Sequence, residues 1–183
     1  MNEDCLPLPA SDWVRRFAPL IVPGGTVLDL ACGAGRHSRY LAGLGLGVLA
    51  VDKDEAALAD LDGVPGVRTL QADLEDKAWP LGGRLFDAIV VTNYLWRPLF
   101  PMLLASMSEQ GVLIYETFMV GNEAFGKPHN PAFLLRPGEL LEVTGRRLVP
   151  VAFEQGEVAS PRPAMVQRLC AVRHGPTRLC GLS

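Results

Sequence analysis

Asp29, Gly33 and Gly35 stand at a spacing that can build a ligand site. The apolar run 26–31 is bounded by glycine, which is typical of a buried parallel strand. The segment after Gly35 has a helical pattern, so the free N–H groups of its first turn point back at the turn between strand and helix. Glycine lets such a turn bend tightly and lets a ligand approach the backbone without meeting a Cβ atom. We therefore predict a nucleotide-type site at this turn.

The position of the carboxylate distinguishes between kinds of nucleotide. A dinucleotide fingerprint needs a small residue, usually Gly or Ala, three positions after its second glycine, and this chain has Ser38 there. Asp29 lies four residues before Gly33, where it would repel a pyrophosphate but attract an ammonium or sulfonium group. The pattern therefore favours a cationic nucleoside over a dinucleotide.

A second carboxylate, Asp52, ends the next predicted strand, residues 47–52. It follows Gly35 by 17 residues, close to the offset of about 20 residues at which an acidic side chain meets a ribose. A carboxylate there can accept hydrogen bonds from both ribose hydroxyls, and it repels a 2′-phosphate. The alternative is that Asp52 only caps the following predicted helix, residues 55–61.

The run Asp29-Leu30-Ala31-Cys32-Gly33-Ala34-Gly35 resembles motif I of the class I S-adenosylmethionine-dependent methyltransferases, an acidic residue followed by x-Gly-x-Gly-x-Gly. Alanine stands in the first glycine slot and still allows close approach of the backbone. Asp73-Leu74, after the predicted strand 67–72, resembles the position at which this family binds adenine; a solvated loop aspartate is the alternative. These elements come in order at successive strand ends, and the resemblance covers about residues 11–174.

The resemblance implies S-adenosylmethionine as the cofactor and S-adenosylhomocysteine as its product. The residues assigned to cofactor binding lie at the predicted turn and at the ends of the predicted strands: Asp29, Ala31, Gly33, Gly35, Arg36, Asp52, Lys53, Asp73, Leu74 and Asn93. Arg36 can reach the carboxylate of the cofactor or lie solvated on its helix. We expect His37, in the same helical turn, to support the site rather than to transfer protons.

Three residues are candidates for a catalytic or pocket-lining role: Glu116, His129 and Tyr94. Only a hydroxyl acceptor would need a general base, because sulfur or a neutral amine needs little beyond positioning. Glu116 stands near the end of an apolar predicted strand, where polar residues usually belong to a site. Tyr94 follows the fourth strand without the prolines that exocyclic-amine DNA methylases carry there. His129 lies on a long Pro-rich loop, and a solvated histidine is an equal alternative.

The wider pattern predicts an α/β fold, with a doubly wound, mostly parallel seven-stranded sheet whose last strand is antiparallel. We expect one methyltransferase domain over residues 1–183. Its parts are an N-terminal helix at 11–22, a core at 26–118 with a helix at 96–107 and a strand at 111–118, a lid loop at 119–137, and a helix and strand pair at 138–174. The loop and the run Leu134-Leu-Arg-Pro-Gly-Glu-Leu140 are similar to small bacterial methyltransferases, including those of the tellurite-resistance type.

The amino-acid composition of the chain limits the kinds of partner that it could bind. The 183 residues are 49% hydrophobic and carry a net charge of −3 with scattered basic residues, which fits one globular domain and argues against a long nucleic-acid footprint. The four cysteines show no CxxC spacing, and no histidine has a metal-ligand spacing, so we expect reduced thiols and no metal. No signal peptide or spanning stretch is evident. We expect a cytoplasmic monomer or homodimer with no membrane and no obligatory nucleic acid.

Three functions remain open. The favoured one is transfer of a methyl group to a small-molecule acceptor by in-line displacement, because the sequence shows no appended recognition domain. A methyltransferase acting on a protein or RNA is the first alternative. The second is a non-catalytic or nicotinamide-binding member of the Rossmann-like fold.

Overall fold

The structure, a computed structural model, describes residues 8–76 and 79–174. Seven strands form one sheet: β1 Thr26–Leu30, β2 Gly47–Asp52, β3 Val67–Gln71, β4 Phe86–Thr92, β5 Met107–Phe118, β6 Val149–Val158 and β7 Ala164–Val172. Their order is β3-β2-β1-β4-β5-β7-β6. The first five run parallel, and β7 lies antiparallel to both β5 and β6. The predicted fold, a doubly wound sheet with an antiparallel last strand, is confirmed.

The helices are short and lie on both faces of the sheet: α1 Asp12–Phe17, α2 Arg36–Gly43, α3 Glu55–Ala59, α4 Phe100–Ala105 and α5 Glu139–Thr144. Single turns of 3-10 helix occur at Ala18–Leu20, Arg97–Leu99, Asn122–Ala124, Pro131–Phe133 and Gly145–Arg147. Among the described residues, no helix has the length and apolar content needed to span a membrane.

Three predicted helices end earlier than expected, and the one predicted at 55–61 ends at Ala59. The α-helical part of the N-terminal segment ends at Phe17, because Pro19 has no backbone N–H with which to continue the ladder. The predicted helix 96–107 is a 3-10 turn followed by α4, and Met107 already belongs to β5. Met107 pairs with Phe86 of β4, a partner that the local helical pattern could not show.

Alternating side chains of the sheet fill two separate clusters, since successive strand residues point to opposite faces. Leu28 and Ile89 belong to a cluster that also contains Leu103 of α4 and Leu140 of α5. The neighbouring strand residues belong to a second cluster with residues of α1 and α2. Helices on both faces leave the carboxyl edge of β1, β2 and β4 as the open edge of the sheet, where ligands bind in such folds.

Candidate active site

The turn between β1 and α2 is built on left-handed backbone. Ala31, Gly33 and Gly35 have φ angles of 53°, 53° and 72°. A Cβ atom on Gly35 would approach the Leu61 side chain to 2.4 Å, whereas a Cβ atom on Gly33 would meet nothing within 4 Å. Gly35 is therefore required for packing. Gly33 faces open space, as a ligand cradle requires.

Asp29 lies below this turn and is only 1% exposed. The Ser38 hydroxyl donates to its Oδ2 at 2.6 Å, but its buried Oδ1 has no hydrogen-bond partner among the described residues. Burial raises the pKa of Asp29 to about 6, although Ser38 and Arg36 oppose the shift. Buried acceptors are nearly always paired, so Oδ1 is the place for a donor that the chain does not supply.

Asp52 joins the end of β2 to the glycine turn. Its Oδ2 accepts a hydrogen bond from the Gly33 backbone N–H at 2.8 Å, and its Oδ1 accepts one from the Asp54 N–H at 3.0 Å. Asp54 is the residue that caps α3, because its side chain accepts from Ala56 and Ala57. The alternative that Asp52 is the cap of this helix is therefore wrong.

The end of β3 lies beside the end of β2, because the Ala72 N–H donates to the Asp52 carbonyl at 2.9 Å. Asp73 is exposed and accepts from the Glu75 N–H at 2.9 Å, while Leu74 is buried. Burial raises the pKa of Tyr94, and Glu75, Asp73 and Asp52 raise it further. These carboxylates therefore surround a common edge of the sheet.

The thiol of Cys32 is affected by both Asp29 and Asp52. Burial raises the pKa of the Cys32 thiol, and Asp29 and Asp52 both add to that shift. The first two predicted carboxylates therefore lie near one residue of the glycine turn, and the second and third lie near Tyr94.

Asn93 and Tyr94 form a fixed corner after β4. Asn93 has a φ of 54°, which its residue type tolerates better than most, and its N–H donates to the Glu116 carbonyl at 2.9 Å. The Tyr115 hydroxyl donates to the Tyr94 carbonyl at 2.9 Å. The Tyr94 hydroxyl is itself buried without a partner among the described residues. Its raised pKa keeps it a neutral donor.

A cavity of about 610 Å³ opens between this corner, the end of β5 and the segment 119–137. It is lined by Lys53, Glu75, Asn93, Tyr94, Leu95, Thr117, Phe118, Lys127, Pro128, His129, Asn130 and Phe133. It brings together four residues predicted for the site, Lys53, Asn93, Tyr94 and His129. The predicted candidate Glu116 does not line it.

The segment 119–137 is held against the sheet from both sides. Asn122 is buried, and its Nδ2 donates to the Lys127 carbonyl at 3.3 Å while its Oδ1 accepts from the Met165 N–H at 3.1 Å. Arg97 donates to the Leu134 carbonyl at 2.9 Å. No local sequence signal identified Asn122 or Arg97, because their partners lie elsewhere in the chain.

Glu116 lies on the other face of β5, next to α1. Its Oε1 accepts from the Ser11 hydroxyl at 2.9 Å, and its Oε2 lies 2.6 Å from Nε of Arg168. The Ser11 side chain also caps α1 by accepting from the Trp13 N–H. Glu116 is thus fully engaged in holding the segment that begins at Ser11.

His37 holds the same segment. Its Nε2 accepts from the Ser11 N–H at 3.2 Å, which places its proton on Nδ1, 3.3 Å from the Thr92 hydroxyl. Burial lowers the pKa of His37 to about 3, and Arg36 lowers it further, so the ring is neutral. Arg36 donates to the Pro9 carbonyl at 3.3 Å. Both side chains bind residues 9–11 over the start of α2.

Residues 8–76 and 79–174 contain no group of three or more His, Cys, Asp or Glu side chains arranged to hold a metal ion. Within those ranges Cys32 is buried in the turn. Cys5 and Cys180 lie outside the described residues.

Comparison with known proteins shows what this fold is similar to. Residues 27–110 match the family described as the methyltransferase domain. The structure resembles TehB from Haemophilus influenzae, with a TM-score of 0.71 and 22% identity, and the match covers 89% of this chain but only 62% of that one. It also resembles an S-adenosylmethionine-dependent methyltransferase from Mesorhizobium loti, with a TM-score of 0.68 and 18% identity over 90% of this chain and 99% of that one.

A third solved structure is described as a TehB-like SAM-dependent methyltransferase from Corynebacterium glutamicum. It has a TM-score of 0.65 and 20% identity, and the match covers 88% of this chain and 87% of that one. A search among curated proteins finds no match.

Proposed function

We propose that this chain transfers a methyl group from S-adenosylmethionine to a small-molecule acceptor, because residues 27–110 match the family described as the methyltransferase domain. The observation that carries this proposal is the unpaired, buried Oδ1 of Asp29 beneath a glycine turn with open space at Gly33. A buried carboxylate oxygen suits the ammonium group of a cationic nucleoside. The names of the similar structures from M. loti and C. glutamicum support the same cofactor.

The chain offers a donor or acceptor for each part of this cofactor. We assign Asp29 and the Gly33 turn to the methionine end, with Arg36 beside it. We assign Asp52 to the ribose hydroxyls, because both its oxygens are held by backbone N–H groups and can each accept a further bond. Asp73 and Leu74 are assigned to adenine. Lys53 and Asn93, which line the adjoining cavity, complete the assignment together with Ala31 and Gly35 of the turn.

When bound, S-adenosylmethionine supplies an electrophilic methyl carbon, which bonds to the acceptor's lone pair as its bond to sulfur breaks and sulfur keeps the electron pair. The residues of the cavity orient the acceptor for that step. Tyr94 donates a hydrogen bond, because its raised pKa keeps it neutral. His129 lines the cavity, and it stays the candidate base.

We propose a positioning role for Glu116. The contacts with Ser11 and Arg168 support it, because they occupy both carboxylate oxygens on the face away from the cavity. For Glu116→Gln we expect weaker cofactor binding, an unchanged pH profile of kcat and a lower free energy of unfolding. A pH profile that loses its basic limb in this variant would instead support the predicted role as a base.

Calorimetry tests the cofactor. We expect S-adenosylmethionine and S-adenosylhomocysteine to bind and NAD not to bind. Asp29→Asn and Asp52→Asn should each weaken binding at least about tenfold, since a hydrogen bond to a charged group contributes about 1.5–3 kcal/mol. The matched control is Asp62→Asn, at an exposed position whose side chain makes no contact with the site. Binding of NAD alone contradicts the proposal.

An acceptor screen scored by release of S-adenosylhomocysteine tests the reaction. We expect turnover with a small molecule in the absence of any macromolecule. Release that depends on an added protein or RNA fraction would support the first alternative function instead.

A further inference from the structure

The wall of the 610 Å³ cavity carries charged side chains from two parts of the chain. Lys53 and Glu75 follow β2 and β3, on the side of the proposed cofactor site. Lys127 and His129 line the cavity from the segment 119–137 and form what we call its basic end. This end is left to the acceptor.

The ammonium groups of Lys53 and Lys127 have no ion-pair partner among the described residues. Every ion pair in that part of the chain is made by an arginine. Glu75 is the carboxylate that lines the cavity, and it pairs with neither lysine. Lys53 is assigned to the cofactor, so Lys127 is the unpaired cation left to face the acceptor, and it favours an anionic group there.

The basic end is held in place before any ligand arrives. The Lys127 carbonyl accepts from Asn122, whose own side chain is fixed by the Met165 N–H. Beyond His129, Asn130 accepts from the Ala132 N–H at 3.0 Å. A backbone fixed on both sides lowers the ordering cost of binding.

Part of this wall is apolar. Leu95, Phe118, Pro128 and Phe133 line the cavity, and Phe133 is 38% exposed. Cavities that bind small molecules are lined mostly by apolar and aromatic side chains, with a few charged groups that fix orientation. An inorganic anion would leave this apolar surface uncovered.

We infer that the acceptor of this site is a small organic anion with an apolar, ring-sized body, whose anionic group faces Lys127 and whose body packs on Phe118 and Phe133. This inference rests on the proposed function. A bound sulfonium adds a positive charge next to the cavity and therefore also favours an anionic acceptor over a cationic one.

Calorimetry with three probes of one shape tests the inference. The probes 2-naphthoate, 2-naphthamide and 2-naphthylmethylammonium are titrated into the protein saturated with S-adenosylhomocysteine. We expect the carboxylate to bind at least about tenfold more tightly than the amide, as one charge-assisted hydrogen bond would give, and the ammonium to bind most weakly. Equal binding of the three, tightest binding of the ammonium, or no binding of any probe would overturn the inference.

Three variants locate the contact. Lys127→Met keeps the length of the side chain, and we expect it to remove the preference for carboxylate over amide. Phe133→Ala should weaken both probes equally. The matched control Arg84→Met removes a cation from an exposed position away from the cavity and should change neither affinity. A preference that survives in Lys127→Met overturns the inference.

Saturation with S-adenosylhomocysteine is verified first in the same instrument. If S-adenosylhomocysteine does not bind, both the proposed function and this inference fail. If it binds and the carboxylate has no advantage, the inference alone fails and the methyltransferase proposal stands.

Discussion

Asp29 and His37 are both 1% exposed, and burial shifts their pKa values so that they affect stability in opposite directions. The pKa of Asp29 is about 6 in the folded protein and about 3.9 in an unfolded chain. Between these values the folded state holds a proton that the unfolded state releases. Without cofactor, the Asp29 contribution therefore falls by about 2 kcal/mol as the pH rises from 4 to 6.

For Asp29→Asn we expect the loss of this slope. The measurement is the free energy of unfolding in urea between pH 4 and pH 8, without cofactor. Relative to the wild type, the variant should gain stability as the pH rises from 4 to 6 and change little above that range. A difference between the two proteins that is independent of pH would contradict the prediction.

His37 gives the opposite slope. Its pKa is about 3 in the folded protein and about 6.5 in an unfolded chain. Its contribution is complete above the unfolded value and is lost as the pH falls from there toward 3. For His37→Gln we expect less acid destabilisation than in the wild type, measured by the same urea series. Equal acid sensitivity in the two proteins would show that a group other than His37 causes the loss of stability at low pH.

Ala31 and Gly33 share a φ of 53° but differ in residue type. A left-handed conformation costs an alanine about 1–2 kcal/mol relative to glycine. For Ala31→Gly we expect a free energy of unfolding about 0.5–1 kcal/mol higher, because the relief of this strain exceeds the extra entropy that glycine loses on folding. The matched change Gly33→Ala should lower stability by a similar amount. It should also weaken cofactor binding, because its Cβ atom would occupy the open space at the turn. A loss of stability in Ala31→Gly would contradict the conformational argument.

Among the structural elements, α5 and the segment 119–137 depend on one buried ion pair. Nε of Arg97 lies 2.6 Å from Oε1 of Glu139, which is 2% exposed. Burial tends to raise the pKa of Glu139, but Arg97 and the Arg136 N–H outweigh this and lower it. The contribution of the pair is therefore present above the ordinary carboxylate pKa and lost as the pH falls through the lowered value.

For Arg97→Met we expect a loss of about 3–5 kcal/mol, because the variant leaves the buried Glu139 carboxylate without its main partner. The control Arg136→Met removes a guanidinium that is 64% exposed, and we expect a loss below about 1 kcal/mol there. Urea unfolding at pH 7 measures both. Similar losses in the two variants would show that the ion pair between Arg97 and Glu139 does not account for the lower stability of Arg97→Met.

Local sequence patterns were sufficient to predict the strands around the glycine turn. Asp29, Gly33 and Asp52 could be assigned because each is defined by neighbours close in sequence, and β2 was predicted at the residues where it occurs. Glu116 could not be understood in this way. Its partner Ser11 lies 105 positions away, and only the folded sheet brings the two together. The early end of the predicted helix 96–107 could not be predicted either, because Met107 pairs with Phe86 of β4 only in the folded sheet.

At the scale of the whole molecule, cofactor binding and stability are linked. A ligand that binds only the folded state stabilises it by about 2.7 kcal/mol at a concentration of 100 times Kd. We expect this increase with S-adenosylhomocysteine in urea unfolding, and none with NAD at the same concentration. Asp52→Asn should need a higher ligand concentration for the same increase. Equal stabilisation by both ligands would contradict the cofactor assignment.

The place of β7 between β5 and β6 has a consequence for biosynthesis. Both neighbours precede β7 in the chain, and β6 finds its partner in the sheet only there. A nascent polypeptide that has reached residue 158 on the ribosome therefore exposes one edge of β5 and a whole strand with nothing to pair against. The part of the sheet formed by β5, β7 and β6 can therefore close only after β7 has been synthesised, and until then chaperones have an unpaired strand edge to shield.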